Sequence, residues 1–94
     1  MGEAKFRLGQ VVVTRGVNDK VADDEEFAKL VLDSLKRHVN GDWGDLCEED
    51  RKENELSVKQ GFRILSAYRC NEEKIWIITE ADRSATTILF PEEY

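Results

Sequence analysis

The chain holds one histidine, His38, in 94 residues, so any Ser/His/Asp or Cys/His nucleophilic centre has to be built around it. Neither cysteine, Cys47 or Cys70, nor any serine stands in a recognisable nucleophile motif. His38 closes a helical pattern, and the expectation is that its ring caps carbonyl groups at that helix end.

Carboxylates gather around Trp43: Asp42, Asp45, Glu48, Glu49, Asp50, Glu53 and Glu55. A glycosidase pair needs one carboxyl in a pocket that raises its pKa, whereas this run reads as solvated. Hard divalent cations take oxygen ligands, but the spacing and loop glycine of an EF-hand are missing. A small-molecule or metal enzyme using Asp42, Asp45 and His38 is therefore a weaker reading than a solvated acidic helix. No metal site and no cofactor is implied.

Asn54 stands inside that acidic segment, four residues after Asp50 and four before Val58. Asparagine in a helix interior costs propensity, so its amide either bonds the loop Asn40–Gly44 or lies exposed among charges. Arg63, Arg69 and Arg83 fall on or beside the last strands. Arginines on a sheet can hold phosphate or carboxylate bidentately; cross-strand pairing with Glu72, Glu80 or Asp82 is the commoner arrangement. Glycine-rich phosphate loops, Walker motifs, HExxH and zinc spacings are absent. The candidate binding residues are thus Asp42, Trp43, Asp45, Glu49, Asp50, Glu53 and Asn54, with an alternative set on the sheet, Arg63, Arg69, Glu80 and Arg83.

The elements that must position these residues follow from periodicity. The β-branched run within 6–14 reads as a strand, ended by Gly16; Val17 to Ala22 is a connection. A helix spans Asp23 to His38, with Phe27, Leu30, Val31, Leu35 and His38 on one face. Asp23 and Glu26 suggest a capping box, and Lys36, Arg37 and His38 suit the negative end of the dipole. Asn40-Gly41-Asp42-Trp43-Gly44 is an irregular turn. Asp45 then caps a second helix that runs to Lys59 or Gln60 and stops at Gly61. That helix has few apolar residues and should be half-exposed, with Trp43 folded under its start. Strands at 62–69, 74–80 and 85–90 follow. The first pair is joined by a Cys70–Glu73 hairpin turn, the last strand is ended by Pro91, and Glu92-Glu93-Tyr94 is a tail. The expected fold is a single α+β domain, 1–94, of order β-α-α-β-β-β. Its sheet is four-stranded and mainly antiparallel, with both helices packed on one face and the first strand at an edge.

Composition narrows the partners. A net charge of −6 with 36% charged residues repels phosphate backbones and suits a basic protein surface, so no direct nucleic-acid binding is expected. No apolar run approaches membrane-span length, the start lacks a signal-peptide core, and Met1-Gly2 lacks the Ser or Thr of a myristoylation site at position 6. Two reduced thiols fit a cytoplasmic protein, monomeric or homodimeric.

Several stretches are distinctive together. They are Phe6-Arg7-Leu8-Gly9-Gln10-Val11-Val12, Arg37-His38-Val39-Asn40-Gly41-Asp42-Trp43-Gly44-Asp45-Leu46, Glu49-Asp50-Arg51-Lys52-Glu53-Asn54, Arg63 to Arg69, Ile75 to Ser84, Thr86 to Leu89 and Pro91 to Tyr94. The chain resembles, over nearly its whole length and least from Val17 to Asp33, a family of small bacterial proteins of plasmids and integrative elements labelled plasmid-related proteins. The resemblance implies a mobile-element protein and carries over no catalytic residue.

The favoured expectation is a non-enzymatic interaction protein whose acidic second helix docks a basic surface. A sharper version is an anti-restriction or anti-CRISPR DNA mimic, although −6 is modest beside one charge per ~1.7 Å of duplex. The alternative is a small RNase similar to RelE or ParE-type toxins. It would use Arg63, Arg69, Glu80 and Arg83, and it sits poorly with an acidic chain.

Overall fold

Phe27, Val31, Ser34 and His38 are buried at helical spacing and anchor the longest helix to the sheet. The computed structural model describes residues 4–94, so the Met1–Gly2 start lies outside the described residues. In chain order the elements are β1 (Gln10–Val13), α1 (Arg15–Asp23), α2 (Glu25–Val39), α3 (Glu48–Gln60), β2 (Ile64–Cys70), β3 (Glu73–Thr79), β4 (Ala85–Leu89) and a 3-10 turn (Pro91–Glu93). They form one small α+β domain with three helices and a four-stranded mixed sheet of order β1-β4-β3-β2.

The two-helix, mainly antiparallel arrangement expected above is corrected in three respects. First, the segment read as a connection is α1. Its N-terminal Gly16 N–H donates at 2.9 Å to a carboxylate oxygen of Glu93, 77 residues away, a cap with no local sequence signal. Second, β2, β3 and β4 form the expected antiparallel meander, but β1 lies parallel to β4, with Val12 opposite Thr87. Third, the helices do not share one face. Val17 of α1 and Phe27 and Val31 of α2 pack on Tyr68, Ile75, Ile77 and Ile88, while α3 lies along the outer margin of β2.

Smaller boundary differences have physical causes. Asp24, not Asp23, caps α2, its carboxylate accepting from Phe27 N–H at 3.1 Å. Residues 6–9 are not strand: Lys5 N–H donates to Val39 O at 2.8 Å, and Phe6 lies against His38 and Trp43. α3 starts after Cys47 rather than Asp45, because Asp45 N–H is bonded to Ala67 O at 2.8 Å. Gly61 ends α3 with φ 80, the left-handed cap expected of it.

Cys70 is not in the hairpin turn; it is the buried last residue of β2, its Sγ 3.6 Å from Ser34 Oγ. Both cysteines are free thiols. The C-terminal residues dock rather than trail: Tyr94 meets Trp76 edge-on at 5.6 Å on the face of the sheet opposite α2. Among the described residues no helix is long and apolar enough to cross a membrane.

Candidate functional site

The loop between α2 and α3 is fastened at each residue that its sequence made notable. Arg37 donates to both carboxylate oxygens of Asp42, at 2.7 and 3.2 Å, and its guanidinium lies 4.9 Å from the Tyr68 ring centre. The bond to Arg37 holds the Asp42 carboxyl below its ordinary range. Tyr68 donates its hydroxyl to Asp42 O at 2.6 Å. Gly44 has φ 73 and bridges to Ala67, whose carbonyl lies 1.9 Å from where a Cβ would stand. Only glycine permits that approach.

Trp43 is 2% exposed, and its indole N–H donates to a Glu55 carboxylate oxygen at 2.8 Å. It is folded inward, but its bond reaches α3 at Glu55, past the middle of Glu48–Gln60, rather than at the expected helix start, and its ring lies against Phe6 and His38. It offers no exposed ring to a partner.

Asn54 is buried, and its amide bonds β2 rather than the loop Asn40–Gly44. It donates to Leu65 O at 2.7 Å and accepts from Leu65 N–H at 3.3 Å. Next along β2, Ala67 N–H donates to Trp43 O at 3.3 Å, and its carbonyl accepts from Asp45 N–H. At Leu65 and Ala67 the outer margin of β2 is thus closed by α3 and the loop.

The sheet arginines do not converge. Arg83 spends its guanidinium on the carbonyls of Ser57, Phe62, Glu80 and Ala81, at 2.7 to 3.2 Å. Arg63 bonds the Tyr94 hydroxyl and lies over that ring. Arg69 is six residues farther along β2, roughly 20 Å at strand rise, and stands opposite Lys74. Glu80 is exposed just past β3. None of these arginines forms an ion pair among the described residues, where the two pairs are Arg37–Asp42 and Lys52–Glu48. The expected cross-strand pairing is thereby corrected: backbone carbonyls and the Tyr94 hydroxyl satisfy Arg83 and Arg63.

His38 is not a carbonyl cap. Its ring is fully buried, with Nδ1 2.6 Å from Ser66 Oγ and Nε2 2.8 Å from Thr79 Oγ1. Thr79 Oγ1 lies 2.7 Å from Thr86 Oγ1, which donates to Leu8 O at 2.7 Å. The end of this chain fixes its direction. Thr86 gives its one proton to a carbonyl, so Thr79 donates to Thr86, Nε2–H donates to Thr79, and Ser66 donates to Nδ1. Burial, helped by the charge of Arg83, pushes the imidazole down to about 3. A neutral ring with both nitrogens engaged offers no base to a substrate. Sequence reasoning missed this role because the partners lie 28 and 41 residues away.

What remains open to solvent is the outward side of α3. Residues 48–53 are all exposed, and Leu56 is 44% exposed. Arg51 is turned back onto the carbonyls of Leu46 and Gly44, and Lys52 reaches Glu48 at 3.7 Å. Glu49, Asp50 and Glu53 keep carboxylates with no ion-pair partner among the described residues. Glu49, Lys52, Glu53 and Leu56 line one shallow depression. A neighbouring cleft of about 330 Å³ is walled by Leu46, Leu65 and Ser57, with Asp50, Glu53 and Arg63 among its lining. Among the described residues no group of three or more His, Cys, Asp or Glu side chains could hold a metal ion.

Compared with protein-family models, curated proteins and solved structures, the chain finds no match.

Proposed function

We propose that this chain is a non-enzymatic interaction protein that binds a basic protein surface through the outward face of α3. The observation that carries this reading is how α3 is attached. Its buried residues are Asn54 and Ser57, both polar, and it is held by hydrogen bonds from Asn54, Trp43 and Arg83. A helix anchored in this way, with no buried apolar stripe, keeps its acidic side and Leu56 turned to solvent.

Glu49, Glu53 and Leu56 lie on one stripe by their spacing of four and three. A partner that fits carries lysine or arginine beside an exposed apolar residue. Charge pairing then speeds encounter and sets register, and the apolar contact slows release. The resemblance to plasmid-related proteins suggests a partner in the setting of a bacterial mobile element. The enzymatic alternatives have less support, since His38 is enclosed and Arg83 is already satisfied by carbonyls.

The test is retention of proteins from a bacterial lysate on the immobilised chain, with a Glu49→Lys/Glu53→Lys variant beside it. The wild type is expected to retain basic proteins that salt releases, and the variant to lose them while its unfolding midpoint stays put. Equal retention by both would remove the reading.

A further inference from the structure

The two margins of the sheet are treated differently. At β2 the polar groups of Leu65 and Ala67 are closed by Asn54, Trp43 and Asp45. At β1 no described residue pairs with the open side, and every residue is exposed: Val11 at 41%, Val12 at 38% and Val13 at 41%. Gln10 N–H donates to Ser84 O and Thr14 N–H to Ile88 O, each at 3.0 Å. The even positions therefore face β4, and the N–H and C=O groups of Val11 and Val13 face outward. An open apolar edge is a template for another strand.

We infer that this edge pairs with β1 of a second copy of the chain, antiparallel, about a two-fold axis through Val12. The parity of the strand selects that register. With Val12 opposite its own copy, Val11 meets Val13 of the other copy and Val13 meets Val11, each as a pair exchanging two hydrogen bonds. Centring on Val11 instead brings Gly9 opposite Val13, and Gly9, with φ 65, has left the strand.

The lack of charge along this edge fits a second copy of the same strand. From Leu8 to Thr14 there is no charged side chain, in a chain that is 36% charged with net charge −6. Two copies approaching here set no like charges opposite one another along the ladder. The paired sheet is continuous across eight strands, twice the four of one chain. It also joins the faces carrying Val12 and Thr87 of both copies. A ladder this short buries less than the roughly 1,200–2,000 Å² of a standard interface, so the dimer is weak and concentration-dependent. The inference is independent of α3.

The test is sedimentation equilibrium from about 1 µM to about 1 mM, on the wild type and on Val12→Lys. The wild type is expected to pass from monomer to dimer mass, and Val12→Lys, which sets two ammonium groups across the axis, to weaken dimerisation at least about tenfold. Cysteine cross-linking in a Cys47→Ser background reads the register. Directly opposed residues without mutual hydrogen bonds have Cα atoms about 4.5 Å apart, within disulfide reach. Val12→Cys is therefore expected to cross-link on mild oxidation and Val11→Cys not. A monomer throughout, dimerisation indifferent to Val12→Lys, cross-linking at position 11 in place of 12, or capture of only a foreign strand would each overturn the inference. A Glu49→Lys/Glu53→Lys variant is expected to dimerise as the wild type does, which separates this result from that for α3.

Discussion

The Asn54 carboxamide lies against both polar groups of the Leu65 peptide, donating to its carbonyl at 2.7 Å and accepting from its N–H at 3.3 Å. One side chain of α3 thereby takes the place of a neighbouring strand. The acidic helix is held at the margin of the sheet without any apolar side of its own being buried there.

Asn54→Ala leaves two edge groups of β2 unpaired behind α3. The expected loss is about 1–3 kcal/mol, read by urea unfolding, together with faster hydrogen exchange at the Leu65 amide. An unchanged exchange rate would show that the clamp does not hold the margin.

Gly44→Ala sets a methyl group against the Ala67 carbonyl at a residue with φ 73. Backbone strain and loss of the bridge together are expected to cost roughly 2 kcal/mol or more. The measurement is the thermal midpoint, with Tyr68 and Trp43 side-chain signals reporting loosening of the loop. A midpoint equal to the wild type would contradict the geometry.

His38 makes stability depend on pH. In the unfolded chain it titrates near its ordinary 6.5, whereas burial takes it to about 3 in the fold. Between those values the unfolded state binds the extra proton, so stability is full above about 6.5 and falls as pH drops toward about 3. Between about pH 7 and about pH 5 the expected loss is about 2 kcal/mol, and His38→Gln is expected to flatten that slope. The lowered carboxyls of Asp42, Asp82 and Glu93 contribute stability present above their unfolded values and lost at lower pH, which overlaps the acidic end of the His38 range but not the interval between about pH 7 and about pH 5. Nitrogen NMR at about pH 5 is expected to show the neutral ring protonated on Nε2; a charged ring there would refute the hydrogen-bond chain.

Glu93→Ala removes the acceptor that serves Gly16 N–H and Phe90 N–H. α1 is expected to fray first, with faster amide exchange at Gly16 and Val17 while Phe27 and Val31 of α2 stay protected. Exchange spread evenly over both helices would show that Glu93 does not cap α1 specifically.

Legibility in the sequence divided along the range of the interactions. α2 is readable, with its cap misplaced by one residue at Asp23, because charge order and apolar spacing are local, and the β2–β3–β4 meander is readable because alternation is local too, although Cys70 is strand rather than turn. α1 was hidden because Gly16 reads as a strand terminator and its cap arrives from Glu93. The parallel placement of β1 could not be read, because nothing local separates one edge orientation from the other. At the candidate site the acidic run and the infolded Trp43 were visible. The engagement of Asn54 with Leu65, of Arg83 with carbonyls and of His38 with Ser66 and Thr79 was not, since each joins segments distant in sequence.

The most direct test of the central claim is titration of the labelled chain, by amide chemical shifts, with a soluble amphipathic peptide carrying lysines beside leucines. Shifts are expected to concentrate at Glu49, Asp50, Glu53 and Leu56, to fade as salt is raised, and to vanish in Glu49→Lys/Glu53→Lys. Shifts centred on any other surface, or equal binding by that variant, would contradict α3 as the docking face.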